Sequence, residues 1–153
     1  MIYRHRFRVR APLARVAEFH SRAASLAALT PPPIIVRLHR APAIQRQGDE
    51  VDFTMWLGPL PIRWTARIDS VSDTDFVDRQ VRGPFRFWRH RHAYAPIDAG
   101  ATEVTDEVEA ELKRHWLWSV VGGLMWLGLP LLFAYRGWKT RRVLEGRPAW
   151  AES

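Results

Sequence analysis

Residues 75–95 read DFVDRQVRGPFRFWRHRHAYA, two runs of alternating side chains separated by Gly83-Pro84. Successive side chains of a strand point to opposite faces, so Trp88, His90, His92 and Tyr94 share one face of the second run. Phe87, Arg89, Arg91 and Ala93 share the other. Arg86, Arg89 and Arg91 would be costly to bury, which assigns the Trp/His/His/Tyr face to the interior. The first run divides likewise, into Phe76, Asp78 and Gln80 against Val77 and Arg79. Two such runs joined by a Gly-Pro turn are the pattern of an antiparallel hairpin.

The same period extends outward. Tyr3, His5, Phe7 and Val9 alternate with Arg4, Arg6, Arg8 and Arg10, and residues 34–39 form a further candidate strand. Val51, Phe53, Met55 and Leu57 alternate with polar neighbours, as do Trp64, Ala66 and Ile68. Val104, Val108, Ala110 and Leu112 face one way, with Asp106 the one formal charge on their side, and Glu103, Glu107, Glu109 and Glu111 face the other. Helical spacing appears at Leu13, Val16, Ala17 and Phe19, and again at Leu26 and Leu29. It predicts short helices over 12–21 and 23–29, stopped by Thr30-Pro31-Pro32-Pro33. An apolar stretch from about 117 leads into a helix reaching 144, with Gly122-Gly123 read as the turn that opens it. Arg136, Lys139, Arg141 and Arg142 sit toward its C-terminal end, where the helix dipole favours cations. The order is one strand, two short helices, about six strands and a C-terminal helix: an α+β domain over 1–146, with 147–153 as a tail.

Composition bounds the function classes. A chain of 153 residues suits one ordinary domain. Cysteine is absent, which excludes disulfides, thiolate metal sites and a cysteine nucleophile. Lysine and arginine together number 23 against 16 acidic residues, a net charge of +7, and only Lys113 and Lys139 are lysines. The aromatic side chains fall mostly on inward faces, so no stacking platform interleaves with the arginines and nucleic acid is not the expected partner. No secretory pattern follows Met1, and a cytoplasmic location is the expectation. Residues 116–135, WLWSVVGGLMWLGLPLLFAY, carry no formal charge over a length that could span a bilayer. Trp116, Trp118, Trp126 and Trp138 are candidate membrane contacts, with basic residues flanking both ends. Something apolar must cover its outer side: a second subunit forming a homodimer through the helix, more of the same domain, or a bilayer, either the surface of the inner membrane or a single-pass span that anchors an interaction module.

Phe76-x-Asp78-x-Gln80-x-x-Gly83-Pro84-Phe85-x-x-Trp88-x-His90-x-His92 resembles a signature of bacterial START-like (SRPBCC, polyketide cyclase-like) proteins. Ala11-Pro12, Glu18-Phe19-His20, Leu29-Thr30-Pro31-Pro32 and Gly48-x-x-Val51-x-Phe53 fit the same pattern. So do Thr102-x-Val104-x-Asp106 and Phe133-x-Tyr135-Arg136, and the resemblance covers roughly residues 2–145. It implies a helix-grip fold, a curved antiparallel sheet of about seven strands around a long C-terminal helix. It also implies a cavity between the two for a lipid, sterol, polyketide or other apolar molecule. Some members of the superfamily are cyclases or hydratases and others are transfer proteins.

A hydrophobic small molecule or lipid is therefore the expected partner. Phe53, Met55, Trp64, Phe76, Gln80, Trp88, His90, His92 and Tyr94 are its candidate contacts. Asp78 and Asp106 join the two histidines in one otherwise apolar interior, and three readings of that set stay open. It is a buried polar network, a polar anchor for a ligand headgroup, or a His–Asp acid/base pair of an enzyme. A metal held by His90, His92 and a carboxylate has no third histidine or HExxH helix behind it, so no metal and no cofactor are expected.

Overall fold

The computed structural model describes residues 1–146, and the expected tail lies outside them. β1 (Ile2–Val9) is followed by α1 (Leu13–Ser21), α2 (Ala24–Ala28), β2 (Ile35–Arg40), β3 (Glu50–Leu57), β4 (Leu60–Val71), β5 (Asp75–Arg82), β6 (Phe85–Asp98) and β7 (Ala101–Leu112). α3 (Trp116–Leu127) and α4 (Leu129–Glu145) close the chain. The seven strands form one antiparallel sheet in the order β1-β7-β6-β5-β4-β3-β2. Every neighbouring pair except β1–β7 is a sequence-consecutive hairpin.

Local chemistry sets the turns. Gly58, at φ +59°, opens the two-residue β3–β4 turn, where a positive φ matches the twist of the flanking strands. The Gln80 carboxamide clamps the β5–β6 turn: its Nε2 donates to the Phe85 carbonyl at 2.7 Å, and the Phe85 N–H donates back to its Oε1 at 3.2 Å. A Cβ on Gly83 would lie 2.4 Å from that Oε1, so a side chain there would displace the Gln80 clamp. Register shifts at Thr65/Ala66, Ile68/Ser70 and Phe85/Phe87 bend the long strands, as bulges do, and curl the sheet.

The concave face carries the core. Val9, Val51, Phe53, Ile68, Phe76, Phe85, Val104, Val108 and Ala110 are buried there, and Phe133 and Leu129 of α4 pack against them. α4 comes close to β1 through Gly137, where a Cβ would meet Phe7 Cγ at 3.3 Å and His5 Nε2 at 3.4 Å. The opposite face holds the arginines, in ion pairs such as Arg4–Glu107, Arg6–Glu103, Arg8–Glu103 and Arg86–Glu111. Such exposed pairs each contribute about 0–1 kcal/mol, so this face serves solubility more than stability.

The C-terminal segment departs from the expected single helix. It bends by 46° between α3 and α4. Gly128 caps α3 and Pro130 opens α4; proline has no N–H to continue the ladder, and its ring blocks the carbonyl four residues back. Gly122 and Gly123 lie within α3 and are not a turn. Gly122 instead faces the sheet, where a Cβ would lie 2.9 Å from Leu112 Cδ2. Among the described residues no single helix is long and apolar enough to cross a membrane, and only the bent pair passes by length and composition. α4 buries Leu129, Phe133, Gly137, Thr140 and Leu144 and so forms one side of the interior.

Candidate functional site

The sheet, α1, α2 and the two C-terminal helices line a partly open cavity of about 330 Å³. Phe53, Met55, Trp64 and Trp88 form its aromatic end, with Trp64 stacked on Phe53 at 5.9 Å and edge-on to Trp88 at 5.5 Å. Phe76, Asp78, His90 and His92 line it from β5 and β6, as the alternation of those strands requires. α3 and α4 contribute Leu124, Met125, Leu129, Phe133 and Arg136.

Two expected contacts fall elsewhere. Gln80 is engaged in the turn clamp and does not line the cavity. Tyr94 is buried behind His20, the ring centroids 5.4 Å apart, and its hydroxyl has no partner among the described residues. Asp106 is likewise sealed behind the imidazoles and does not reach the cavity surface.

His90 and His92 converge on Asp106. His90 Nε2 lies 3.3 Å from Asp106 Oδ1, and its Nδ1 lies 3.8 Å from Asp78 Oδ2. His92 Nδ1 comes to 2.5 Å from the same Asp106 oxygen, but off-line for a ring N–H, so this nitrogen has no aligned hydrogen bond. The rings of His90 and His92 are 4.0 Å apart, and His20 from α1 lies 4.8 Å from His92. These three side chains also form the closest approach to a metal-binding set, His90, His92 and Asp106, within 4.8 Å of one another. His90–Asp106 hydrogen bonding already occupies part of that set, and the Arg136 guanidinium acts on both imidazoles, which disfavours a further cation.

Burial dominates the electrostatics. It would raise Asp106, yet His92 and His90 outweigh it and hold the carboxyl well below the usual carboxylate range. Burial lowers both His90 and His92, with Asp106 opposing the shift in each. His20 is driven down to about 3, by burial first and His92 second. Its Nδ1 lies 2.9 Å from the Val16 carbonyl and must donate there, which leaves Nε2 a bare acceptor. Asp78 is pushed up to about 6 by burial, against the pull of His92 and Arg136.

The sequence expectation omitted His20, Leu129, Phe133 and Arg136 from the site. Leu129, Phe133, Arg136 and Thr140 recur at helical spacing, and that stripe was the available signal. Of the four tryptophans expected at a membrane, Trp116 and Trp138 are exposed, whereas Trp118 and Trp126 are half-buried. Trp126 packs edge-on to Tyr3 at 6.4 Å, because the bend at Gly128 turns that side of α3 toward β1.

No protein-family profile matches the sequence, and no curated protein is similar to it. Solved structures are similar along the whole chain. A protein from Chromobacterium violaceum superposes with a TM-score of 0.74 at 14% identity, over 95% of this chain and 98% of that one. Norcoclaurine synthase from Thalictrum flavum, in complex with dopamine and hydroxybenzaldehyde, superposes at 0.70 and 16% identity, over 97% and 88%. The Zhui aromatase/cyclase from Streptomyces sp. R1128 superposes at 0.66 and 18% identity, over 94% and 95%. The fold is a helix grip. In this helix grip the gripped element is the bent α3–α4 pair, and both of its helices contribute to the cavity lining.

Proposed function

We propose that this helix-grip domain binds a hydrophobic small molecule or lipid in the cavity between its sheet and the α3–α4 pair. The observation that carries the reading is a partly open cavity of about 330 Å³ whose walls are mostly aromatic and aliphatic, with polar groups among them that include His20, Asp78, His90, His92 and Arg136. That is the general construction of small-molecule sites, which run from about 300 to 1,000 Å³. The dopamine and hydroxybenzaldehyde held by norcoclaurine synthase, on the same fold, support it. Titration with N-phenyl-1-naphthylamine, a neutral apolar fluorophore, tests it: saturable enhancement at one probe per chain is expected. An absence of saturable binding contradicts the reading.

The proposal extends to a membrane surface as the place of loading. Leu117, Val120, Leu124, Leu127 and Leu131 are exposed along one side of α3 and the start of α4. Leu124 also lines the cavity, so its mouth opens on this apolar side. Lys113, Arg114, Lys139, Arg141 and Arg142 flank the patch, the charge pattern that suits an anionic lipid surface. The protein is expected to float with phosphatidylglycerol vesicles, and the double variant Leu127→Glu/Leu131→Glu to lose at least tenfold in partitioning. No flotation contradicts the membrane, and a dimer that the double variant dissociates assigns the patch to a second copy.

A further inference from the structure

Arg136 projects from α4 into the cavity, where it faces the histidine–aspartate end. Its Nε is sealed from solvent without a hydrogen-bond partner, and the side chain makes no hydrogen bond or ion pair with any described residue. Its recorded contact is a cation–π one, with Cζ 5.5 Å from the Phe133 ring centroid. The residue as a whole is half-buried, and taking even part of an unpaired guanidinium out of water is costly and lowers its pKa. Asp106 and Asp78 offset part of that cost through space, but neither comes within ion-pair distance. Asp106 is turned toward the two imidazoles.

We propose that Arg136 is the anion-binding residue of this cavity, and that the ligand is an amphiphile with an apolar body and a carboxylate or phosphate-type head. The body lies among Phe53, Trp64 and Trp88, and the head takes the free N–H groups of Arg136. A guanidinium presents a planar fork that fits such an oxyanion in two parallel hydrogen bonds, which a fixed helix position pre-orients. The bare Nε2 of His20 accepts from any hydroxyl the ligand adds nearby. Asp78, which also lines the cavity, opposes an anion whenever it is ionised. The inference rests on the ligand-binding reading and deepens it by naming the ligand's charge.

The test displaces N-phenyl-1-naphthylamine from the intact protein with decanoate and, separately, with decan-1-ol at pH 7.5. Decanoate is expected to bind at least tenfold more tightly than decanol. Arg136→Met is expected to bring that ratio to about one, with Arg136→Gln as the second variant should the first not fold. Asp78→Asn is expected to raise the ratio further, because it removes the negative charge beside Arg136. Equal affinities in the unsubstituted protein, or a preference that survives the loss of Arg136, overturn the inference while the probe still reports a working cavity. Failure of the probe itself to bind overturns the ligand-binding reading and this inference together.

Discussion

Ala66→Phe is expected to weaken N-phenyl-1-naphthylamine binding at least tenfold, about 1.4 kcal/mol, while the protein stays folded. Ala66 lies on β4 between Trp64 and Ile68 and lines the cavity. A phenyl group there enters the space that the ligand would use. Enlarging a filled core costs about 1–3 kcal/mol through strained rotamers and shifted backbone. Because Ala66 borders a cavity of about 330 Å³, the added ring has somewhere to go and the stability cost should fall at the low end. The measurement is the probe titration alongside thermal unfolding of both proteins. Met55→Phe, on the adjoining strand and half-buried, serves should Ala66→Phe unfold. Unchanged affinity in a folded variant would show that the probe binds elsewhere.

Lowering the pH from 7.5 to 5 is expected to cost the unsubstituted protein about 2 kcal/mol more stability than it costs His20→Phe. His20 titrates at about 3 in the folded protein against an ordinary value of 6.5, so the unfolded chain takes up its proton first. Its stabilising contribution is complete above pH 6.5 and is lost as the pH falls through the 6.5-to-3 window. Asp78 acts in the opposite sense: pushed up to about 6, it favours the folded state below the ordinary carboxylate value and loses that contribution as the pH rises through 6. Both proteins carry Asp78, so its effect cancels in the comparison. Phenylalanine preserves the ring packing against His92 and Tyr94. Denaturant unfolding at the two pH values reads the difference, and parallel stability–pH curves would mean that His20 is solvated.

Much of the architecture could be read because strand alternation is a local signal. The faces of β6 and β7 follow directly from Trp88/His90/His92/Tyr94 and from Val104/Asp106/Val108/Ala110, and burial matches that division. The Gly83-Pro84 turn was legible for the same reason, although the role of Gln80 was not. Alternation places Gln80 on the inner face, but the tight turn five residues on offers it two backbone partners that a ligand would have to match. Gly128 and Pro130 already argue in the sequence against an unbroken span, but every residue from 116 to 135 is uncharged, which erases the polar face that would show which side of each helix meets the sheet. Arg136 was grouped with the basic residues of the helix end for a similar reason. Charge alone does not distinguish an inward-facing guanidinium from the exposed Arg141 and Arg142 a turn later.

The surface reading also sharpened. The arginines of β1 were expected to point outward, and they do so paired with Glu103 and Glu107, whereas Lys113, Arg114, Lys139, Arg141 and Arg142 of the C-terminal segment form no ion pair among the described residues. The exposed leucines lie between those groups, and Leu124 among them also lines the cavity. Under the proposed loading at a membrane, an apolar ligand exchanging there would enter water only briefly.

Native mass spectrometry of the protein purified without detergent or organic solvent tests the central claim most directly. The account predicts a population one small molecule heavier than the bare chain, released by mild activation and recovered as an amphiphile in the organic extract. It predicts that Ala66→Phe shifts this population toward the bare mass. A single bare mass for the unsubstituted protein, unchanged after incubation with N-phenyl-1-naphthylamine or decanoate, would contradict it.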